Sequence, residues 1–380
     1  MKKGWERRKL GEILEKTETV NPLQSPNTEF DYIDVSSVSN TTFEIEETQR
    51  LKGKDAPSRA RKLVRTNDII FATIRPTLQR IAVVPEHLDK QVCSTGYFVL
   101  RPKQGIDHRF VYYWLFTEVF NGQMESLQKG ASYPAVTDGD VRAQEIPVPP
   151  LIEQRRIASI LDRTFESIAT SRANAEKNLQ NARALLENHL NEVFTKRGEG
   201  WVEKKLRDVC TEIVAGGDVP KDNYSKAPTE KHRIPIYTNG EKNNGLYGYT
   251  NAARVTSPSI TISARGTIGY AALRHESYYP AIRLIVIIPD GEILNLAFLY
   301  HAIESMDIGH SGTSIPQLTV PMVRDLWVSF PPLAEQKKIA ARLDALSAET
   351  RRLADIYEQK LAALDALKKS LLHHAFKGEL

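Results

Sequence analysis

The sequence contains the same helix start twice, and this repetition constrains the fold more than any other feature. Residues 149–158 read PPLIEQRRIA, and residues 331–340 read PPLAEQKKIA, an offset of 182 positions. Proline fixes φ and lacks an N–H, so it suits the first turn of a helix and not its interior. The glutamate in the first turn complements the positive end of the helix dipole. The repeat predicts two units, each made of a domain followed by a long helix.

Two further repeats mark the beginning and the end of each predicted domain. Trp5 and Trp201 each precede a leucine by five positions, and residues 130–137 (GASYPAVT) match residues 312–319 (GTSIPQLT). The segments between these repeats diverge. A shared frame with a divergent middle indicates one scaffold that carries two different binding surfaces. The predicted domains span 1–150 and 198–332.

Each predicted domain leads into a long helix, at 151–197 and 333–380. Apolar residues recur at three-and-four spacing between charged residues, and no proline or glycine interrupts either run. At about 1.5 Å per residue each helix extends over on the order of 65 Å, which favours pairing with the other helix over packing on its own domain. One narrow apolar seam per helix is typical of a coiled coil, here antiparallel within one chain. The seam residues are Ile157, Leu161, Leu179, Leu186, Ile339, Leu343, Leu364 and Leu371.

The composition excludes some classes of protein and leaves others open. The chain has 380 residues, a net charge of +4 and a pI near 8.8. This mildly basic balance is compatible with nucleic-acid binding without requiring it. No run approaches the roughly 20 apolar residues that span a bilayer, and no signal peptide is expected. Cys93 and Cys210 are too few for a disulfide framework or a zinc ribbon and are expected to be small buried hydrophobes. We expect a cytoplasmic protein without a membrane partner.

Sequence signatures of catalysis and metal binding are absent. There is no Gly-x-x-x-x-Gly-Lys-Ser/Thr phosphate loop, no glycine-rich dinucleotide fingerprint and no Asp/Asn-Pro-Pro-aromatic motif of an amino-methyltransferase. Residues 289–292 (PDGE) are similar to the start of a nuclease carboxylate cluster, but no Glu-x-Lys follows, which favours a turn. The adjacent His373 and His374 point about 100° apart on a helix and cannot share one ion. We predict no catalytic residue, no metal site and no cofactor bound by this chain.

The densest polar and aromatic stretch is 237–251, which reads YTNGEKNNGLYGYTN. Asparagine pairs bidentately with adenine edges, lysine binds phosphate or guanine, and glycine lets the backbone approach a ligand closely. The same composition is typical of a β-hairpin with turn-forming Asn and Gly, and the two interpretations are compatible. The predicted DNA contacts in this stretch are Asn239, Lys242, Asn243, Asn244 and Tyr247.

Arginines follow an apolar strand in both domains. Arg75 lies in 73–80 (TIRPTLQR), and Arg265 lies in 263–269 (SARGTIG). An arginine at the turn after a strand is placed for a bidentate guanine contact or a phosphate clamp, and a surface salt bridge is the alternative. Hydroxyl, amide and basic side chains of these turns and of the repeated Gly-x-Ser-x-Pro loop complete the predicted contacts. They are Gln79, Arg80, Lys129, Ser132, Tyr133, Thr267, Ser314 and Gln317.

The two Trp-led domains, the doubled Pro-Pro-Leu-x-Glu-Gln and the Gly-x-Ser-x-Pro loops together resemble the specificity (S) subunit of type I restriction–modification enzymes over the whole chain. The resemblance implies an α+β fold, with two repeated mixed α/β target recognition domains separated by two long helices that form an antiparallel coiled coil. Each domain would read one half of a split site in double-stranded DNA. The helices would set the spacing and dock two modification subunits.

In that family catalysis belongs to the partners, so this chain is expected to be non-catalytic. The modification subunits would bring S-adenosylmethionine and methylate adenine N6, and restriction subunits would use ATP and Mg²⁺ to cleave unmodified DNA. Because the middles of the two domains differ, the half-sites should differ and the full site should be asymmetric.

Three alternatives stay open at this point. One is a coiled-coil scaffold whose end domains bind proteins, and a second is a nuclease with unrecognised carboxylates. The third is an orphan DNA-binding subunit without active partners. Salt dependence separates the first from a DNA reader, because phosphate contacts lose affinity steeply as salt rises.

Overall fold

The computed structural model describes residues 4–306, 308 and 317–380. The chain divides into two compact units, which we call unit 1 (Met1–Ala175 with Lys360–Leu380) and unit 2 (Glu176–Gln359). Each unit therefore contains a globular domain together with a part of both long helices. These units cut the long helices, whereas the sequence-based segments 151–197 and 333–380 follow them from end to end.

Unit 1 combines short strands with short helices ahead of the first long helix. Its strands are β1 (Glu6–Lys9), β2 (Glu29–Ile33), β3 (Gln49–Lys52), β4 (Ala60–Leu63), β5 (Ile69–Ala72), β6 (Ile81–Val83), β7 (Val92–Ser94), β8 (Tyr97–Leu100) and β9 (Glu145–Val148). Its helices are α1 (Leu10–Ile13), α2 (His108–Trp114), α3 (Glu118–Leu127) and α4 (Asp138–Arg142), followed by the start of α5 (Leu151–Lys196).

Unit 2 repeats this arrangement. Its strands are β10 (Val202–Lys205), β11 (Cys210–Ala215), β12 (Ile234–Tyr237), β13 (Leu246–Thr250), β14 (Ser259–Ile262), β15 (Ala271–Arg274), β16 (Tyr279–Pro280), β17 (Ile285–Pro289) and β18 (Trp327–Phe330). Its helices are α6 (Leu296–Glu304) and α7 (Val320–Arg324), followed by the start of α8 (Leu333–Lys377).

The strand pairing confirms that the two domains share one frame. In unit 1 the sheets run β1-β9, β3-β2-β7-β4 and β6-β5-β8, and in unit 2 they run β10-β18, β13-β12-β16 and β11-β17-β14-β15. The central strands β5 and β14 are buried along their whole length, and each pairs antiparallel with both neighbours. A strand buried on both faces needs a continuous apolar or small-residue run, which both segments have.

The β-branched and aromatic residues of 93–100 predict one strand. This prediction is wrong, because β7 ends at Ser94 and β8 begins at Tyr97 in a different sheet. A Cβ on Gly96 would lie 2.6 Å from Val35 Cγ2, so the turn between these strands requires glycine. The closely spaced aromatic residues of 110–116 predict a buried helix with a counterpart at 297–303, and both are present as α2 and α6.

The two long helices are present and run antiparallel. In unit 1 an ion pair joins Arg172 of α5 to Asp365 of α8, and Arg156 Nη2 donates to Leu380 O at 2.5 Å. In unit 2 Arg183 pairs with Glu358 at 2.7 Å. Residue numbers on α8 fall as those on α5 rise, which confirms the predicted orientation.

The predicted seam residues are all at least half-buried, but several contact a domain as well as the other helix. Ile157, Leu161 and Leu343 are buried, whereas Leu179, Leu186, Ile339, Leu364 and Leu371 are half-buried. Ile157 and Leu161 belong to the core of the unit 1 domain, and Ile339 packs against the core of the unit 2 domain. The small Ala175 and Ala182 are buried on α5, because close helix contacts favour small side chains.

The repeated glutamine of the helix start joins each long helix to its domain. In unit 1 Gln154 is 1% exposed; its Oε1 accepts from the Asp107 N–H at 2.9 Å, and its Nε2 donates to Pro149 O at 2.8 Å. Asp107 is the N-cap of α2, with its carboxylate accepting from the first-turn N–H groups. One side chain thus joins the first turn of α5 to the first turn of α2.

Unit 2 repeats this contact. Gln336 is fully buried; its Oε1 accepts from the Asn295 N–H at 2.8 Å, and its Nε2 donates to Pro331 O at 2.8 Å. Asn295 is the N-cap of α6. A buried amide must find hydrogen-bond partners, and here the partners are the same in both units.

A phenylalanine near the end of each long helix fills the domain of the unit in which that helix ends. In unit 1 Phe376 of α8 packs on Phe110 and Trp114, with ring centroids 4.8 and 5.1 Å away. In unit 2 Phe194 of α5 packs on Phe298 at 5.4 Å. These two phenylalanines are also 182 positions apart, a signal in the repeat that the sequence analysis did not use.

A second helix-to-domain contact differs between the units. In unit 1 Tyr113 Oη donates to Asp162 Oδ1 at 2.6 Å. In unit 2 His301 takes the equivalent place, with Nε2 2.8 Å from Asp344 Oδ1 and Nδ1 3.2 Å from Glu304 Oε2. Since a carboxylate faces each ring nitrogen, both nitrogens donate only when the ring is protonated. Burial opposes the charge, but the two carboxylates outweigh it and raise the pKa of His301.

Replacing Gln154 with leucine is expected to lower the free energy of unfolding by about 2–4 kcal/mol, because the Asp107 N–H and the Pro149 carbonyl lose their partner in a buried place. Denaturant unfolding with amide exchange should locate the loss at the start of α5 and α2. The matched control is Gln180→Leu on the exposed face of α5. An equal loss in the control would contradict the role of Gln154.

His301 should make unit 2 sensitive to alkaline pH. The pKa of His301 in the folded state is raised above the unfolded value of about 6.5. The resulting stabilisation of the folded state is fully present below a pH of about 6.5 and is lost as pH rises through the raised pKa. Amide exchange in α6 should therefore accelerate through this range, and His301→Gln should remove the dependence. In unit 1 burial raises the pKa of Tyr113, so α2 serves as an internal control. Equal acceleration in α2 and α6 would refute the assignment.

Candidate nucleic-acid interface

In unit 1 the structure brings together side chains from two separate predicted stretches. Arg75 follows β5 in a left-handed conformation (φ 51°), and its N–H donates to Pro134 O at 2.7 Å. Its guanidinium lies 5.2 Å from the centroid of the Tyr133 ring and 3.5 Å from Ser132 O. Tyr133 is 72% exposed, so its ring and the guanidinium beside it are open to a ligand. The strand-end arginine and the Gly-x-Ser-x-Pro loop therefore form one surface.

The loop beside Arg75 has a rigid base. Lys129 and Ala135 exchange both backbone hydrogen bonds at 2.9 Å. Gly130 between them has φ +102°, and a Cβ there would lie 2.9 Å from Tyr133 O, so only glycine fits the turn. Lys129 and Ser132 are exposed on this loop, and Lys129 forms no ion pair within the described residues.

Gln79 and Arg80 lie at the other end of the same turn. Gln79 is half-buried in a left-handed conformation (φ 52°). The Arg80 guanidinium donates to the carbonyls of Ser36, at 3.4 Å, and Val38. Arg80 therefore holds the loop after β2 in place, and the prediction that it contacts DNA stays a prediction.

Unit 2 places Arg265 after β14 as unit 1 places Arg75 after β5. Its Nε and Nη2 donate to Gln317 Oε1 at 3.0 and 2.5 Å. A contact between the strand-end arginine and the residues at the end of the domain is thus present in both units, with a different partner side chain. Thr267 is exposed in the same turn, whereas Ser314 lies outside the described residues.

The 237–251 stretch forms the β12–β13 hairpin. Lys242, Asn243, Asn244 and Tyr247 are exposed at its turn, and Lys242 forms no ion pair in the described part of the chain. The Asn239 amide is engaged within the protein, where Nδ2 donates to Ile282 O and Oδ1 accepts from the Ala264 N–H, both at 2.7 Å. Asn239 therefore joins three loops, and its contact with DNA stays a prediction.

Sequence reasoning missed residues that belong to the same surface. Tyr224 packs against Tyr247 with ring centroids 5.5 Å apart, because Gly248 leaves the room that a Cβ would fill. Ile282 and Arg283 both have positive φ, and Ile282 is 45% exposed. A β-branched residue in this conformation is strained, and such strain collects at functional sites. No local sequence pattern predicts that these residues lie on the surface, because their positions depend on contacts between distant loops.

Other chemistry offers no competing site among the residues that the structure describes. No group of three or more His, Cys, Asp or Glu side chains there is placed to hold a metal ion. Burial raises the pKa of Cys93 and of Cys210 to about 12, so both thiols are protonated and unreactive. No described helix combines the length and apolarity needed to cross a bilayer.

Comparison with known proteins agrees with this architecture of two divergent surfaces on a repeated frame. The chain matches the family described as "Type I restriction modification DNA specificity domain" over residues 2–180 and 198–361. It is 35% identical over 198 residues to a putative type I specificity subunit of Mycoplasma pneumoniae, which covers 52% of this chain and 54% of that protein. The chain spans about half the length of the curated relatives it matches at 34–35% identity.

Two solved structures are similar over the whole chain. The HsdS subunit from Thermoanaerobacter tengcongensis is 30% identical, with a TM-score of 0.67 and coverage of 100% of this chain and 98% of that chain. A chain from work on complex assembly and conformational transition of the type I R-M system is also 30% identical, with a TM-score of 0.84 and coverage of 100% and 99%.

The fold defines a protein with two similar domains that carry different surfaces on a duplicated frame. The chain belongs to the family of DNA specificity subunits of type I restriction–modification systems.

Replacing Arg75 with alanine should weaken discrimination in one half-site, and Arg265→Ala should weaken it in the other. Loss of a bidentate arginine–base contact costs about 1–3 kcal/mol of discrimination. Binding of the full chain to duplexes with single base-pair changes measures this loss. Arg50→Ala is the control, because Arg50 is already paired with Glu29 and Asp31. Equal losses in both half-sites from either variant would contradict two independent readers.

Proposed function

We propose that this chain is the site-choosing subunit of a cytoplasmic type I restriction–modification complex, in which each unit reads one half of an asymmetric, bipartite site in double-stranded DNA. One observation carries the proposal: a strand-end arginine meets the end-of-domain loop twice, on the same frame, with different loop side chains. Tyr133 lies beside Arg75, and Gln317 lies beside Arg265. A common frame supports equivalent docking on the duplex, and different side chains support different bases.

The chemistry of the two surfaces suits base reading. An arginine guanidinium presents a planar set of donors that matches the guanine edge, and an exposed tyrosine adds a flat apolar surface for sugars or bases. The hairpin turn of unit 2 adds the exposed Asn243 amide, which matches adenine, and Lys242, which suits a phosphate. These groups all lie on loops that the buried strands hold in place.

The long helices are proposed to dock two modification subunits and to set the spacing between half-sites. Leu185 of α5 is 50% exposed and Ile356 of α8 is 43% exposed, although both lie on helices whose seam is already formed. Exposed apolar side chains outside the seam support packing of further helices from a partner.

Catalysis is proposed to belong to those partners. The modification subunits would bind S-adenosylmethionine and methylate adenine N6, and the restriction subunits would use ATP and Mg²⁺. The absence of sequence signatures for these activities in this chain supports that division of labour.

Binding of the full-length chain to a duplex selected from a random library tests the proposal. Affinity for the selected site should exceed that for a scrambled duplex, and log K should fall linearly with log salt with a slope of about −0.9 per phosphate contacted. Double alanine replacement of Lys129 and Lys242 should reduce the slope by about 2. The matched control is Lys177→Ala on the exposed face of α5. Binding that depends neither on the sequence of the duplex nor on the salt concentration would favour a protein-binding scaffold instead.

A further inference from the structure

Arg274 is a buried cation that the proposed base contacts do not use. It is the last residue of β15 and is only 4% exposed. Within the described residues it forms no ion pair with a carboxylate. Burial lowers the pKa of its guanidinium, but an arginine keeps its charge in proteins. Burying an unpaired charge costs free energy. The hydrogen bonds of the Arg274 side chain must therefore stabilise another part of the structure.

Those interactions converge on the turn of the β12–β13 hairpin. Arg274 Nη2 donates to Asn244 O at 2.6 Å, and Nε donates to Thr261 Oγ1 at 3.1 Å. Tyr270 Oη donates to the Asn244 side chain, Oδ1, at 2.6 Å. Asn244 is therefore fixed at its backbone carbonyl and at its side chain by two residues from the loop and strand below it.

The turn needs such fixing, because its backbone is left-handed at successive positions. Asn243 and Asn244 both have φ 52°, and Gly245 has φ +73°. Left-handed conformations cost on the order of 1–3 kcal/mol at non-glycine residues, although asparagine tolerates them better than most. A Cβ on Gly245 would lie 2.5 Å from Thr238 O, so the third position accepts only glycine.

Further contacts fix Arg274 itself. Its guanidinium carbon lies 3.6 Å from the centroid of the Tyr237 ring, which is a cation–π contact. Tyr237 Oη in turn donates to Glu276 Oε1 at 2.7 Å, which holds the ring under the cation. The chain of contacts runs from Glu276 through Tyr237 and Arg274 to Asn244.

Within the described residues unit 1 has no counterpart of this arginine. Arg274 pairs with Ser259 at the end of the β14–β15 ladder, next to the pair Ile260 and Leu273. Ile69 of unit 1 faces the domain core as Ile260 does in unit 2, so the pair Ile69 and Val83 matches Ile260 and Leu273. Val84 of unit 1 therefore occupies the place of Arg274, and the arginine beneath the hairpin stands where unit 1 has a buried valine.

We propose that Arg274 is a positioning residue for base recognition by unit 2. It does not touch DNA; it holds the Asn243–Asn244 turn in one conformation, so that the exposed groups of the turn meet base edges in a fixed geometry. This inference rests on the proposed function. Rigid presentation raises discrimination, because a mobile turn adapts to the wrong base at little cost.

Replacing Arg274 with methionine, which is similar in length and uncharged, tests the proposal in the full-length chain. Discrimination between the selected site and single base-pair changes in one half-site should fall by about tenfold, within the range of one specific base contact. Discrimination in the other half-site should not change. The slope of log K against log salt should also stay the same, since a buried side chain contacts no phosphate.

Two further variants separate positioning from direct contact and from misfolding. Lys242→Met, at the exposed part of the same turn, should reduce the salt slope by about 1. Tyr270→Phe removes one hydroxyl from the same network, so it should reduce discrimination less than Arg274→Met and leave thermal unfolding nearly unchanged.

A reduced salt slope in Arg274→Met would mean direct phosphate contact and would overturn the proposal. Unchanged discrimination in both Arg274→Met and Tyr270→Phe would overturn it as well. If the proposed function itself were wrong, the result would differ from both of these outcomes. The unmodified chain would then show no salt-dependent preference for any duplex.

Discussion

The buried glutamine at the start of each long helix is the contact on which the rest of the structure depends. Gln154 and Gln336 each satisfy an N-cap N–H of the domain and a proline carbonyl of the preceding strand. Since both partners are backbone groups, the direction of the long helix is set relative to the domain core, whatever side chains the surface carries. A surface that we propose to read DNA is useful only if it keeps a fixed direction relative to the long helix that begins at its own domain. The repeated Pro-Pro-Leu-x-Glu-Gln segments therefore form the connection between each domain and its long helix.

Around this connection the two units have the same backbone arrangement but carry different side chains at equivalent positions. Asp162 and Asp344 occupy equivalent positions, yet one accepts from a tyrosine and the other faces a histidine. The buried Val84 beside the β5–β6 ladder of unit 1 becomes the buried Arg274 in unit 2. Such exchanges change what lies beneath the loops without changing the strands, which is how one scaffold acquires two different surfaces.

Sequence reasoning located the candidate surfaces better than it assigned side chains within them. It named Arg75, Arg265 and the residues of the repeated loop, because a strand end and a repeated motif are both recognisable in the sequence, and the structure brought Arg75 together with Tyr133 and Arg265 together with Gln317. It also placed Asn239 and Arg80 among the DNA contacts, although their polar groups bind backbone of neighbouring loops. It passed over Arg274, Tyr224 and Ile282. Whether a polar side chain faces solvent or a distant loop depends on long-range packing, which leaves no local periodicity.

The sequence by itself determined the duplication, the two long helices, their antiparallel pairing and the family. Helix starts, apolar spacing and repeated motifs are local patterns with direct physical meaning. The tertiary structure alone decided that both long helices are shared between compact units, with Phe194 and Phe376 each filling a domain at the end of its helix. It alone decided which cations are buried and which are free, because burial is a property of what surrounds a side chain and not of its neighbours in the chain.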